Sequence, residues 1–173
     1  MGIQMFFLTD TCFWSHVKDL HENDIIDLRP VLDSLNWAIT DEVSLEIDRQ
    51  KLGSFFPHEH AIIIPVTNEQ LENTKKQIPT IGEFDIADQT LIVVGRKDEQ
   101  VVLTDDGELY MECIALGIQT MLLPQFCLSL TLNGMMDKTV VFRALRFWET
   151  TRRYSLKFIK KWKNELKEIR GFK

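Results

Sequence analysis

Residues 101–124, VVLTDDGELYMECIALGIQTMLLP, contain the pattern that decides the fold. The β-branched run at 101–104 is typical of a buried strand, the next residues form a helical pattern that Gly117 closes, and IQTMLLP predicts a second strand. A strand, a helix and a strand joined by short connections form a βαβ unit, whose two strands run parallel. We therefore predict an α/β fold, a three-layer α/β/α sandwich with a mainly parallel central sheet.

Strand and helix patterns also precede this unit. An apolar run at 3–9 predicts a strand that ends at Asp10, and the run at 61–66 predicts another, which Pro65 places near a sheet edge or a strand end. Helices are predicted at 11–20, at 24–37, at 41–52 between the cap Thr40 and Gly53, at 67–78 and at 84–96. These elements are sufficient to cover a parallel sheet with helices.

The formal net charge of -6 is divided unevenly along the chain. Residues 1–136 carry 22 acidic and 8 basic side chains, whereas residues 137–173 carry 4 acidic and 12 basic ones. One explanation is that the basic segment docks on the acidic body, and another is that it attracts a polyanion such as RNA. The charges alone leave both explanations open.

The C-terminal segment has the pattern of an amphipathic helix, with apolar residues three or four apart: Leu156, Ile159, Trp162, Leu166 and Ile169. Lysines occupy most of the remaining positions, where they form a solvated face or a surface that contacts RNA phosphates: Lys157, Lys160, Lys161 and Lys163. We predict a domain at 1–136 and a basic helical extension at 137–173 that packs on the domain or continues it.

Length and cysteine content favour a reduced, cytoplasmic protein. A chain of 173 residues can bury a sizeable core without disulfides, and its cysteines, Cys12, Cys113 and Cys127, lack the spacing of a zinc site. The first residues lack the features of a signal peptide. The uncharged stretch 113–136 is long enough to span a bilayer, but Gly117 and Pro124 interrupt it, so we predict a buried domain centre and no membrane contact.

Acidic side chains are the candidate functional groups, because several follow predicted strands or begin the next helix. Ligands of a parallel sheet gather beyond the carboxyl ends of its strands. The candidate acids are Asp10, Glu42, Glu46, Asp88, Asp105 and Asp106. Carboxylates held close together repel one another, and a hard divalent cation, Mg²⁺ or Mn²⁺, relieves that repulsion. Such a metal can polarise a phosphate and activate water, so hydrolysis needs no protein nucleophile.

Two other residue types have simpler explanations. The histidines show no metal-site spacing and are predicted to lie in loops: His16, His21, His58 and His60. The tryptophans are candidates for stacking on nucleic-acid bases: Trp14, Trp37, Trp148 and Trp162. Trp162 lies on the apolar face of the C-terminal helix, where a place in the core or in an interface is the better explanation.

Four segments together resemble the motifs of the PIN-domain family. They are FFLTDTCFW (6–14), AITDEVSLEIDRQKL (38–52), IADQTLIVVG (86–95) and VVLTDDGELYMECIALGIQTMLL (101–123). The resemblance implies a PIN-like fold and an Mg²⁺- or Mn²⁺-dependent endoribonuclease that hydrolyses RNA. It implies that the catalytic and metal-binding acids are Asp10, Glu46, Asp88 and Asp106, since all four motif positions hold an acid here.

Each acid also has a structural explanation. Asp105 is expected to cap the following helix together with Glu108, and Glu42 to be a solvated first-turn acid, so both are only alternate ligands. Without a metal, Asp106 would favour the helix dipole, Asp10 would be a turn residue and Asp88 a helix-start acid beside Asp85. The family resemblance is what favours the metal site for Asp10, Glu46, Asp88 and Asp106.

The resemblance also implies partners. PIN-like proteins suggest a homodimer and, for toxin members, a protein inhibitor or antitoxin. The segment 53–83 is longer than in small toxin members, and the basic extension lies outside the core motifs. The alternative function is a non-catalytic PIN-like module that binds a protein or RNA, in which the apolar face of the C-terminal helix docks on a protein partner or on a second copy.

Overall fold

The structure, a computed structural model, describes residues 6–97 and 100–169. Five strands form the central sheet: β1 (Phe6–Thr9), β2 (Trp37–Thr40), β3 (Ala61–Ile64), β4 (Gln100–Leu103) and β5 (Thr120–Met121). All neighbouring strands are parallel, and their order across the sheet is β3, β2, β1, β4, β5. Of the predicted strand at 3–9, residues 3–5 lie outside the described part of the chain.

Helices flank this sheet and complete a three-layer α/β/α fold, as predicted. They are α1 (Thr11–Glu22), α2 (Arg29–Leu32), α3 (Asp41–Arg49), α4 (Asn68–Gln77), α5 (Ile86–Gly95), α6 (Gly107–Ala115), α7 (Leu123–Leu132), α8 (Lys138–Thr150) and α9 (Leu156–Glu168). Short 3-10 turns occur at His58–His60 and Pro79–Glu83. β3 is an edge strand and ends just before Pro65, where a missing backbone N–H costs the sheet nothing.

The predicted βαβ unit is β4, α6 and β5. Gly117 ends the helix with a φ of 73°, a left-handed conformation that a side chain would strain. The second strand is only two residues long, because α7 starts at Leu123 with Pro124 in its first turn. Helix, strand and helix thus divide the uncharged stretch 113–136. No helix in the described ranges is both long enough and apolar enough to cross a bilayer.

The helix predicted at 24–37 is wrong. Only α2 is helical there, and residues 37–40 form β2, next to β1 at the centre of the sheet. The Asp27 carboxylate accepts bonds from the backbone N–H and the guanidinium of Arg29, which forms a local turn just before Pro30. Apolar residues at helical spacing in this segment therefore pack on the core from a loop and one helical turn.

Helix α3 ends earlier than predicted. Its last helical residue is Arg49, and the chain turns at Lys51, which has a φ of 56°. Leu52 N–H then donates to the Ile47 carbonyl over 2.9 Å and Leu52 is buried. Lys51 therefore occupies the left-handed position that Gly53 was predicted to supply.

All four tryptophans lie in the core, which confirms the explanation preferred for Trp162, whereas the prediction that the other three stack on bases is wrong. Trp14 and Trp37 contact each other and the ring of Phe13, and Trp37 also contacts Phe126. Trp148 and Trp162 pack edge-on against Tyr154 in the C-terminal part. None of the four indoles is more than 2% exposed.

The basic extension packs on the domain and shares its hydrophobic core. Helices α8 and α9 contact each other and α7, and α9 buries Ile159, Trp162 and Leu166 inside the chain. Those three side chains are therefore covered, whereas Leu156 and Phe158 of the same helix stay exposed, and docking of this helix on a partner stays a prediction. One ion pair in the described ranges joins the extension to the body, between Arg153 and Asp19, so packing rather than charge attaches the extension.

Candidate active site

The four acids of the predicted metal site line one cleft at the carboxyl edge of the sheet. The cleft has a volume of about 330 Å³. Its walls contain Asp10, Glu46, Asp88 and Asp106, together with Thr11, Cys12, Ser15, Gln50 and Asp85. Four separate elements contribute these acids, and the carboxyl ends of parallel strands bring them to one place.

Asp10 lies at the base of the cleft. Thr9 of β1 pairs with Leu103 of β4, so the next residue reaches the sheet edge beside Thr104. Asp10 Oδ1 accepts the Phe13 N–H over 2.7 Å and caps α1, while Oδ2 accepts the Thr104 hydroxyl. Burial raises the pKa of Asp10 well above its usual range, and the charges of Asp105 and Asp88 add to that rise.

Glu46 enters the cleft from α3. The Thr11 hydroxyl donates to Glu46 Oε2 over 2.5 Å and ties α3 to the start of α1. Glu42, the alternate ligand one turn earlier, does not line the cleft. The reason is local, since Asp41 accepts the Val66 N–H over 3.3 Å and the first turn of α3 is held beside β3.

Asp88 enters the cleft from the first turn of α5. Asp85 caps that helix by accepting the Asp88 N–H over 3.0 Å, which places two carboxylates side by side. Burial raises the pKa of Asp88 to about 7, and the neighbouring charges of Asp85, Asp106 and Glu46 contribute to the rise. The protein therefore holds a carboxyl group that is only partly ionised at neutral pH.

The capping role that we predicted for Asp105 belongs to Asp106. Asp106, not Asp105, caps α6, because its Oδ1 accepts the N–H groups of Glu108 and Leu109, each over 2.9 Å. Asp106 Oδ2 has no hydrogen-bond partner in the described ranges and remains available to the cleft. One side chain thus supports the helix and lines the site.

Asp105 faces the opposite way and does not line the acidic cleft. Its fully buried carboxylate accepts the Leu123 N–H over 2.9 Å, His16 Nδ1 and the Tyr154 hydroxyl. These donors come from α7, α1 and the turn before α9. Asp105 therefore joins the extension to the sheet edge, and the structure does not support it as an alternate ligand.

His16 and Cys12 are the residues beside the cleft that the sequence analysis missed. His16 is a buried residue of α1, not of a loop, and its Nε2 lies 3.6 Å from Cys12 Sγ. The sequence did contain a signal for them, because Cys12 and His16 lie four residues apart in the helix that follows the strand-end Asp10. Burial and then the charge of Asp10 raise the pKa of the Cys12 thiol far above its usual range, so the row Cys12, His16 and Asp105 holds a poor nucleophile.

The other histidines also depart from the prediction of plain loops. His21 lies in the last turn of α1, and His58 and His60 belong to a 3-10 turn before β3. None of them lines the acidic cleft. They therefore contribute no ligand to the candidate site.

The donor set of the cleft fits a hard divalent cation in its chemistry. It consists of carboxylates, and the raised pKa values of Asp10 and Asp88 reflect burial and mutual repulsion that a cation would offset. The side chains do not form a ready-made cage, since the described residues contain no group of three or more His, Cys, Asp or Glu drawn together closely enough to hold a metal. Binding would require the carboxylates to turn inward.

The lysines predicted to contact RNA lie away from the cleft, on α9. Lys163 Nζ pairs with Glu149 over 2.6 Å, and Lys161 lies 3.7 Å from Glu165. Lys157 and Lys160 are exposed. None of the four lines the cleft, so a role in binding RNA stays a prediction that depends on a substrate reaching around the extension.

The chemistry of the cleft is the feature from which a function can be inferred. It combines five carboxylates, one of which is the buried Asp10, with no activated nucleophile. Comparison with known proteins adds no family name, because no protein-family model matches the chain and no curated protein matches it.

Proposed function

We propose that this protein is a PIN-type, metal-dependent endoribonuclease that hydrolyses RNA phosphodiester bonds in the acidic cleft. One observation carries the proposal: Asp10, Glu46, Asp88 and Asp106 line a single cleft at the carboxyl edge of a parallel sheet. Ionised acids in one cleft are costly unless a cation shares it. The three-layer fold agrees with the fold that the PIN resemblance implies.

Asp10, Glu46, Asp88 and Asp106 would hold Mg²⁺ or Mn²⁺. When bound, such an ion polarises a phosphate and lowers the pKa of a bound water, which supplies the nucleophile. The chain positions its acids through their neighbours, since Thr104 holds Asp10 and Thr11 holds Glu46. With its thiol protonated, Cys12 takes no part in the attack.

RNA as the substrate, a cytoplasmic location and a homodimer are parts of this proposal that rest on the sequence. An inhibitor or antitoxin rests on the resemblance alone. A phosphodiester substrate belongs to the same proposal, because an acidic site attracts a polyanion only through a bound cation and through basic groups on its rim. The rival function, a non-catalytic module that docks through α9, has less support, because the helix buries Ile159, Trp162 and Leu166 in the core.

The test is RNA cleavage by wild type, Asp10→Asn and Asp48→Asn in Mn²⁺, in Mg²⁺ and with a chelator. Asparagine keeps an oxygen to cap α1, so Asp10→Asn is expected to stay folded and to lose cleavage by about 100-fold or more. Asp48→Asn removes an exposed acid from the same helix as Glu46 and is expected to cleave normally. Absence of metal-dependent cleavage by wild type, on both single-stranded and structured RNA, would refute the proposal.

A further inference from the structure

A second cavity adjoins the acidic cleft and opens toward the extension. Its volume is about 410 Å³, and it shares Cys12 and Asp106 with the cleft. Its other walls include His16 of α1, Gly107 at the start of α6, and Thr151 and Arg153. The two cavities therefore form a continuous surface that runs from the acids to the turn between α8 and α9.

Two aspartates line this second cavity, Asp105 and Asp106, and both already accept hydrogen bonds from the protein. The Asp105 carboxylate there is fully buried, and three donors already satisfy it. Asp106 uses one oxygen to cap α6. An anion in the cavity would thus meet an Asp105 carboxylate whose oxygens three donors already occupy, and the amino end of α6, where Asp106 caps two N–H groups and the helix dipole favours negative charge.

Arg153 supplies the positive charge on the rim of this cavity. Its guanidinium lies 3.5 Å from Asp19, and 32% of its side chain is exposed, so it can turn toward a ligand at little cost. Thr151, two residues earlier, adds a hydroxyl at the same rim.

We propose that Arg153 and Thr151 form a subsite for a backbone phosphate of the RNA strand, beside the phosphate that is cut in the acidic cleft. This inference rests on the proposed function and identifies the substrate contact of that site. It assigns the grip on RNA to the turn between α8 and α9 rather than to the four lysines predicted on α9, because none of these lysines lines either cavity. Planar guanidinium groups suit phosphate oxygens, because they donate two parallel bonds.

The test compares wild type, Arg153→Gln, Arg153→Lys and the control Arg146→Gln on one single-stranded RNA oligonucleotide. Arg146 is an exposed arginine of α8 that does not line the cavity. Arg153→Gln is expected to raise KM about tenfold with kcat within about twofold, and to reduce the slope of log affinity against log salt by about 0.7. Arg153→Lys should recover part of the affinity, and Arg146→Gln should match wild type.

A second arm locates the contact on the RNA. Uncharged methylphosphonates replace the phosphates one at a time, and one position next to the cleavage site should weaken wild type but not Arg153→Gln. Thermal melts of each variant establish that it is folded. If wild type cleaves and Arg153→Gln has an unchanged KM and salt slope, the subsite is overturned and the nuclease proposal stands. If wild type neither binds nor cleaves RNA with metal present, both proposals fail.

Discussion

Several acids of the cleft serve the fold and the site with the same side chain. Asp10 caps α1 and lies at the base of the cleft, and Asp106 caps α6 with one oxygen while the other remains available. Asp88 follows a cap, Asp85, and gains its raised pKa from burial and from that neighbour. A structural role for these acids therefore does not compete with a role in metal binding.

The raised pKa of Asp88 predicts how stability depends on pH. The folded chain holds the Asp88 proton more firmly than the unfolded chain, whose carboxyl pKa is about 4. The contribution of the Asp88 carboxyl to the free energy of unfolding is therefore complete below about pH 4, and it is lost as the pH rises to about 7. We expect a loss of about 1–2 kcal/mol after solvent screening, and its recovery on addition of Mg²⁺.

Thermal melts between pH 4.5 and 7.5 measure this effect as the difference between wild type and Asp88→Asn. The variant lacks the titrating group, so its melting temperature should fall less than that of wild type as the pH rises. Equal slopes for the two proteins would show that Asp88 is not perturbed in the folded chain.

Two adjacent aspartates should respond differently to the same substitution. Asp105→Asn replaces an acceptor of three hydrogen bonds with a group that donates on one side, and we expect a loss of about 2–4 kcal/mol in the free energy of unfolding. Asp106→Asn keeps the capping oxygen, so its stability should change by less than about 1 kcal/mol.

Urea unfolding measures the two losses of stability. In a metal titration the order of the two variants should be reversed, with the larger effect in Asp106→Asn. Asp106→Asn is expected to weaken Mn²⁺ binding more than any surface variant does. Equal stability losses in the two variants would contradict the division of roles between Asp105 and Asp106.

The sequence predicted where the acids lie more reliably than what each of them does. Strand-end positions placed Asp10 and Asp106 at one edge, which the structure confirms. The strand predicted at 101–104 lies at 100–103, and α6 begins only at Gly107, so its cap is Asp106 instead of Asp105. The contacts of Asp105 join residues 89 and 49 positions apart, and no local pattern contains such pairs.

At the level of helices and strands, predictions succeeded where caps or breakers marked the ends. Thr67 begins α4 with a capping box, and Thr40 begins α3, as expected. The prediction at 24–37 failed because tertiary packing buries the same apolar residues from a loop. Strand β2 has apolar side chains that are buried on both faces, so it lacks the alternation by which a half-buried strand is recognised.

Helix α5 packs so closely on the sheet that Gly95 has no room for a side chain. A Cβ at this position would lie 2.7 Å from Val102 Cγ2 and 3.3 Å from Ile118 Cγ2. Gly95→Ala is therefore expected to reduce the free energy of unfolding by about 1–3 kcal/mol, although alanine is the better helix former.

Gly82→Ala is the matched control, because a Cβ there meets nothing within 4 Å. Its stability should stay within about 0.5 kcal/mol of wild type in urea unfolding. A Gly95→Ala protein as stable as wild type would mean that α5 can move off the sheet without cost.

The chain as a whole behaves as one core with an attached pair of helices rather than as two separable parts. Helix α8 buries Val141, Leu145 and Trp148 against the same core as α7, and Tyr154 donates to Asp105. The predicted boundary at 136–137 is therefore a change of charge and not a boundary of packing.

Ending the chain after Met136 tests this interpretation. The truncated chain loses the side chains that cover α7, so we expect a melting temperature lower by more than about 10 °C or no cooperative transition. The control Leu156→Ser changes an exposed side chain of α9 and should unfold like wild type. A truncated chain with an unchanged transition would show that residues 1–136 fold independently.

The central claim is that the acids of the cleft share a divalent cation, and calorimetric titration of Mn²⁺ at pH 6.5 tests it most directly. Wild type should bind Mn²⁺ and release protons, detected as a heat that depends on the ionisation enthalpy of the buffer, because a cation lowers the raised pKa of Asp88. Asp88→Asn should bind more weakly and release fewer protons, while Asp48→Asn should match wild type. No binding by wild type, or identical binding by Asp88→Asn, would contradict the claim.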